Sequence, residues 1–134
     1  MADRMLGVVL ALLTWPVATP TLGQAPVPDF LTELNKAREA VLDEPTKSYY
    51  EGPFNAAFYA RFSGWLNLCT QQTGQSLADL DLVVTLDVKG RVTALRTQPE
   101  SAPSGCFSDQ VKKEQFPTPP AAPLTLPLSV RMSK

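Results

Sequence analysis

The stretch DLDLVVTLDVKGRVTALRTQP, residues 79–99, constrains the fold more than any other part of this chain. Apolar residues recur at every second position on both sides of Lys89-Gly90, the period of a half-buried strand. Two strands joined by so short a connection must form an antiparallel hairpin. A two-residue Lys89-Gly90 loop would pair Val88 with Arg91 and Leu86 with Thr93, mixing apolar and polar side chains on both faces. A three-residue loop of Val88, Lys89 and Gly90, with glycine in the left-handed position, sorts them better. It predicts Asp87 opposite Arg91, Thr85 opposite Thr93 and Val83 opposite Leu95 on one face. The other face then carries Leu86 with Val92, Val84 with Ala94 and Leu82 with Arg96.

Helical periodicity flanks this hairpin. In PDFLTELNKAREAVLDEP, residues 28–45, a single stripe holds Phe30, Leu31, Leu34, Ala37, Val41 and Leu42, with Asp29 as N-cap and Pro45 as terminator. TKSYYEGP, residues 46–53, reads as a loop. Phe54, Phe58, Phe62, Trp65 and Cys69 then share one face of a second helix that stops at Gly74, a good C′ residue. An aromatic stripe of this kind is read as the side that packs on a sheet. After the hairpin, SAPSGCFSDQVKKEQFP, residues 101–117, predicts a third helix with Phe107 and Val111 four apart. Asp109 is expected in its first turn and Lys112 and Lys113 in its last, as the helix dipole favours. Pro117 forbids continuation. LTLPLSVRM, residues 124–132, alternates as a last strand, and Pro127, which has no N–H to donate, assigns it to an edge.

The N-terminal residues 1–25 follow signal-peptide grammar. Arg4 supplies a weak positive start, residues 5–15 an apolar core, and Gly23 and Ala25 the small residues before a cleavage point. That apolar run is too short to span a bilayer, which takes about 20 residues. Export to the periplasm sets how the two cysteines are read, Cys69 and Cys106. In an oxidising compartment an even pair in a small domain forms a disulfide. A reactive thiol or half a metal site is the rival, and it lacks further ligands: the chain has no histidine. A bridge would tie the second helix to the third on one face of the sheet, with Phe116 buried beneath it.

The order helix, hairpin, helix, strand places particular residues in turn. LVVTLDVKGRVTAL, CFSDQVKKEQFPTPP and LPLSVRM together resemble the hairpin, following helix and final strand of the C-terminal domain of TonB-type energy transducers and their gliding-motility relatives. The resemblance runs over about residues 80–132. Two departures stand out: Glu114 lies where relatives often carry an aromatic before Phe-Pro, and a longer aromatic helix bearing Cys69 replaces the usual lead-in to the hairpin. An uncleaved anchor and a long proline-rich spacer, which force transduction needs, are not expected here. The resemblance therefore implies the fold and a habit of binding an extended partner segment at a sheet edge.

The expected fold is α+β, a small two-layer domain with helices on a three-stranded antiparallel sheet. Its divisions are a signal peptide at 1–25, an N-terminal helix at 26–48 and a TonB C-terminal-like domain at 49–134. A net charge of −1 gives no reason for attraction to nucleic acid. Without histidine the commonest activated nucleophiles are excluded. Asp79, Asp81 and Asp87 read as solvated or paired carboxylates rather than an opposed catalytic pair. No catalytic, cofactor-binding or metal-binding residue, no cofactor and no small-molecule substrate is expected. The expected function is a non-catalytic periplasmic interaction module whose partner is a protein of the cell envelope. Thr125, Ser129 and Arg131, on the outward-facing side of the last strand, are the expected contact residues. The alternative is an inhibitor or immunity-type protein that masks a secreted hydrolase or toxin through Tyr49, Tyr50 and Glu51.

Overall fold

The structure is a computed structural model and describes residues 29–132, so the expected signal peptide at 1–25 lies outside the described residues. Helix α1 (Phe30–Ala40) begins where the Asp29 carboxylate accepts the Thr32 N–H at 2.7 Å. Phe30, Leu34 and Ala37, at i, i+4 and i+7, form its buried stripe. Leu31 and Leu42, expected on that stripe, are 60% and 69% exposed. Leu31 sits about 100° around the helix from Phe30, and Leu42 lies past its end.

The expected loop at 46–53 is helical. Short α2 (Thr46–Tyr49) runs through one π-helical turn (Tyr50–Phe54) into α3 (Asn55–Thr73). Gly52-Pro53 reads as a breaker in sequence, but the chain passes it by widening a single turn, where a missing proline N–H is tolerated. Glu44, one residue before the Pro45 N-cap of α2, accepts the Ser48 N–H at 2.9 Å and its hydroxyl at 2.8 Å. Those two bonds, side-chain before backbone, hold its carboxyl below the usual range. Gly74, at φ 71°, ends α3 in the left-handed conformation and donates to the Thr70 carbonyl.

Strands β1 (Leu80–Leu86), β2 (Val92–Gln98) and β3 (Leu124–Val130) form one antiparallel sheet in the order β2-β1-β3. The α+β architecture with a three-stranded antiparallel sheet is thus present, and the strand carrying Pro127 is an edge. Helix α4 (Ala102–Lys112) lies beside α3 on one face. There Leu82, Val84, Leu86, Leu126 and Leu128 meet Phe54, Phe58, Trp65, Phe107 and Phe116 in the main core. The two-layer arrangement holds for that core. On the reverse face α1 adds a thin third layer, in which Phe30 and Leu34 pack on Val83.

Helix α4 starts earlier than Asp109 suggests. Ser101 and Ser104 make a reciprocal capping box on either side of Pro103, so Asp109 falls in the helix body and no acid occupies the first turn. The expected bridge is in place: Cys69 of α3 and Cys106 of α4 are disulfide-bonded, Cα atoms 5.6 Å apart.

The hairpin has the expected three-residue loop. Asp87 N–H donates to the Arg91 carbonyl at 2.9 Å, and Gly90, at φ 82°, donates to the Asp87 carbonyl. Leu86 faces Val92 as expected, but a β-bulge then shifts the register by one. Thr85 pairs with Ala94, Val84 with Leu95, Val83 with Arg96 and Leu82 with Thr97, not with the residues predicted. The reason is burial. An unbulged ladder would set Arg96 beside Leu82 in the core; the extra residue brings Leu95 to the core face and sends Arg96 to the reverse face, where it pairs with Glu33 of α1.

Removal of the bridge by Cys69→Ala with Cys106→Ala should cost about 3–4 kcal/mol from the 37-residue separation alone, measured by equilibrium denaturation. Gly90→Ala should cost about 2–4 kcal/mol, because a Cβ there meets the Phe116 carbonyl oxygen at 2.0 Å in addition to the left-handed strain. Gly74→Ala, strained but with open space around it, should cost only about 1–2 kcal/mol.

Candidate sheet-edge binding site

Which backbone groups each edge of the sheet offers follows from the central strand. Asp87 directs its N–H toward β2, so by alternation Thr85, Val83 and Asp81 also bond to β2. Leu86, Val84, Leu82 and Leu80 bond to β3. Pro127 stands opposite Val83, hence at a position whose own N–H and carbonyl would point away from the sheet. Proline therefore costs the ladder nothing, and removes a donor from the middle of the open edge. The matching acceptor is engaged as well: the Tyr50 hydroxyl donates to the Pro127 carbonyl at 2.5 Å.

The three expected contact residues of this strand bond inward to β1. Thr125 and Thr85 share a hydroxyl hydrogen bond at 2.9 Å. The Ser129 hydroxyl donates to Asp81 Oδ1 at 2.8 Å, and Arg131 reaches the same oxygen at 3.0 Å while also donating to the Leu80 carbonyl. Arg38 of α1 approaches that oxygen at 3.9 Å. Asp81 is thus the hub of the reverse face at this end, a role sequence reading missed. The available signal was its place between Leu80 and Leu82 on a strand, which forces it onto the side opposite the main core. Ser129 and Arg131 remain exposed; Thr125 is half-buried beside a groove of about 410 Å³ between α1 and the start of β3.

Tyr49, Tyr50 and Glu51 lie on the α2 and π-helical turns rather than in a loop. Tyr49 is buried, and its hydroxyl donates to the Pro117 carbonyl at 2.5 Å. Tyr50 is half-buried at the β3 edge, and Glu51 is exposed and pairs with Lys47. The adjacent tyrosines thus fasten carbonyls from two separate proline-containing segments. Burial pushes the Tyr49 phenol up to about 12 and raises that of Tyr50.

Asp87 organises the hairpin tip. Its Oδ1 accepts the N–H groups of Lys89 and Arg91, both at 2.9 Å, and Oδ2 pairs with the Arg91 guanidinium. The Arg91 backbone bond above all, then the Lys89 backbone bond and the Arg91 charge, hold its carboxyl below the ordinary value. At the apex Val88 is 66% exposed. Among the described residues no group of three or more acidic, cysteine or histidine side chains is placed to hold a metal ion, and no helix is long and apolar enough to cross a membrane.

Comparison with protein-family models, with curated proteins and with solved structures found no match for this chain.

Two outcomes are expected of the Tyr49 and Tyr50 phenols, one at high pH and one at neutral pH. Unfolded tyrosine ionises near 10, below the folded Tyr49 value, so folding stability should be level below pH 10 and fall as pH rises toward about 12. Tyr49→Phe should flatten that decline in guanidinium titrations run at successive pH values. Tyr50→Phe should lower stability by about 1 kcal/mol at neutral pH through loss of the bond to Pro127.

Proposed function

We propose that this protein is a non-catalytic interaction module of the periplasm, TonB C-terminal-like in its hairpin, following helix and last strand, which binds an extended segment of a cell-envelope protein at an edge of its sheet. The observation that carries the reading is the three-stranded sheet itself, which no further strand flanks among the described residues and which stands on a disulfide-tied helical layer. A sheet of that kind binds through main-chain hydrogen bonds, with alternate side chains supplying selectivity. The exposed Ser129 and Arg131 and the half-buried Thr125 lie along one such edge. On this reading residues 1–25 are removed on export.

The second reading is an inhibitor or immunity-type protein that masks a secreted hydrolase or toxin. The hairpin tip favours it. Val88 projects from a loop already ordered by Asp87 and by the Gly90 carbonyl, which accepts the Phe116 N–H at 2.9 Å. An apolar side chain on a preordered loop inserts into a partner's cleft with little entropy left to lose.

Affinity capture with the mature protein from periplasmic extract separates the two. Recovery of a membrane-associated envelope complex is the expected result. Recovery of one soluble hydrolase, lost with Val88→Asp, would transfer the assignment to the inhibitor reading.

A further inference from the structure

We propose that the outer edge of β2, at Leu95 and Thr97, is where an extended segment of a partner protein carrying a lysine or arginine adds to the sheet; this rests on the interaction-module reading above. The alternation fixed by β1 that turns Pro127 outward on one edge also decides the other. Val83 bonds to Arg96 and Asp81 to Gln98, so the residues between and beside them, Leu95 and Thr97, turn their N–H and carbonyl groups away from the sheet. No hydrogen bond from elsewhere in the described residues reaches those four groups. On β3 the equivalent run is interrupted at its centre, where Pro127 lacks the donor and Tyr50 takes the acceptor. The two edges of one sheet are therefore unequal, and the continuous one belongs to β2.

A groove of about 680 Å³ runs beside this edge, walled by Asp29 and Phe30 at the start of α1 and by residues 95–100. Its charges decide the occupant. Asp29 and Glu100 are exposed carboxylates, while the one cation among the described wall residues, Arg96, is paired with Glu33. The surplus is negative, and an incoming strand gains by placing a cationic side chain opposite Gln98, on the side facing Asp29 and Glu100. A second copy of the chain fits badly. A two-fold pairing of β2 with itself that uses all four groups sets Leu95 against Thr97, which places Arg96 across from its own equivalent on the same face.

The test uses the mature protein with its bridge intact and end-capped peptides of about seven residues, alternating valine and serine. The serine meant to lie opposite Gln98 is kept, or replaced by lysine or by glutamate. The readout is amide hydrogen exchange at single residues. The lysine peptide should slow exchange at Leu95 and Thr97 and leave Thr125 and Ser129 unchanged, and the glutamate peptide should bind roughly three- to ten-fold more weakly. Thr97→Pro should weaken binding by roughly ten-fold or more. Because the lost N–H points outward, as at Pro127, the fold should survive. Peptides N-methylated at alternate amides repeat the test without altering the protein: one alternate set should abolish binding and the other should not. Slowed exchange at Thr125 and Ser129 instead, no effect from any of the three peptides, or equal binding of the lysine and glutamate peptides would each overturn the proposal. So would protection of Leu95 that grows with protein concentration alone, which would identify a second copy as the occupant. An envelope partner captured equally by wild type and Thr97→Pro removes this edge and leaves the interaction role standing. If neither capture nor peptide binding occurs, both fall.

Discussion

Strand β1 is the element on which the others depend. Leu80, Leu82, Val84 and Leu86 point into the main core, Val83 is buried on the reverse face, and its backbone bonds alternately to β2 and β3. A strand flanked on both sides and covered on both faces exposes little to water, only parts of Asp81 and Thr85 here, and so belongs to the centre. Its alternation then propagates outward. It determines that Pro127 sits where a proline is harmless, and that the backbone N–H and carbonyl groups of Leu95 and Thr97 point away from the sheet. The same logic puts Asp81 on the face where Ser129, Arg131 and Arg38 can reach it.

The helical layer solves a different problem. A domain of this size has limited apolar area, and aromatic rings supply much of it: Phe54, Phe58 and Phe107 are fully buried, with Trp65 and Phe116 nearly so. Phe107 of α4 meets Phe58, Phe62 and Trp65 of α3 edge-on, with ring centroids 5.7–6.1 Å apart. The bridge from Cys69 to Cys106 joins the same two helices at one end of that cluster. Covalent and apolar contacts thus reinforce one interface, on which the sheet rests.

Much of this was readable in the sequence because it depended on short-range patterns. Period two around Gly90, the aromatic stripe from Phe54 to Cys69 and the parity of the cysteines each point to a single local arrangement. What escaped depended on tertiary competition. Nothing local in VTALRTQ marks a bulge; the ladder shifts because Leu95 and Arg96 must exchange faces and Glu33, 63 residues earlier, receives the arginine. Likewise Gly52-Pro53 is a breaker by propensity, overridden because Tyr49, Tyr50 and Phe54 all have places to fill. The start of α4 was legible in principle, since Ser-Ala-Pro-Ser is a capping sequence, but the single charge at Asp109 drew the boundary too late. Of the candidate contact residues, Thr125 and Ser129 lie on β3 and Arg131 just past its end, all on the side away from the main core. Their inward hydrogen bonding was hidden, because it needs the position of Asp81 across the ladder.

The thin layer formed by α1 stands apart from the bridged core. Among the described residues its apolar contacts are few, Phe30 and Leu34 packing on Val83, and polar contacts do much of the rest: Glu33 with Arg96, and Arg38 with Ser129 and near Asp81, while the covalent link lies on the opposite side. Detachment of this helix would therefore leave the sheet and its aromatic floor whole. Such a fluctuation would bare Val83 and part Glu33 from Arg96 while leaving the bridged core in place.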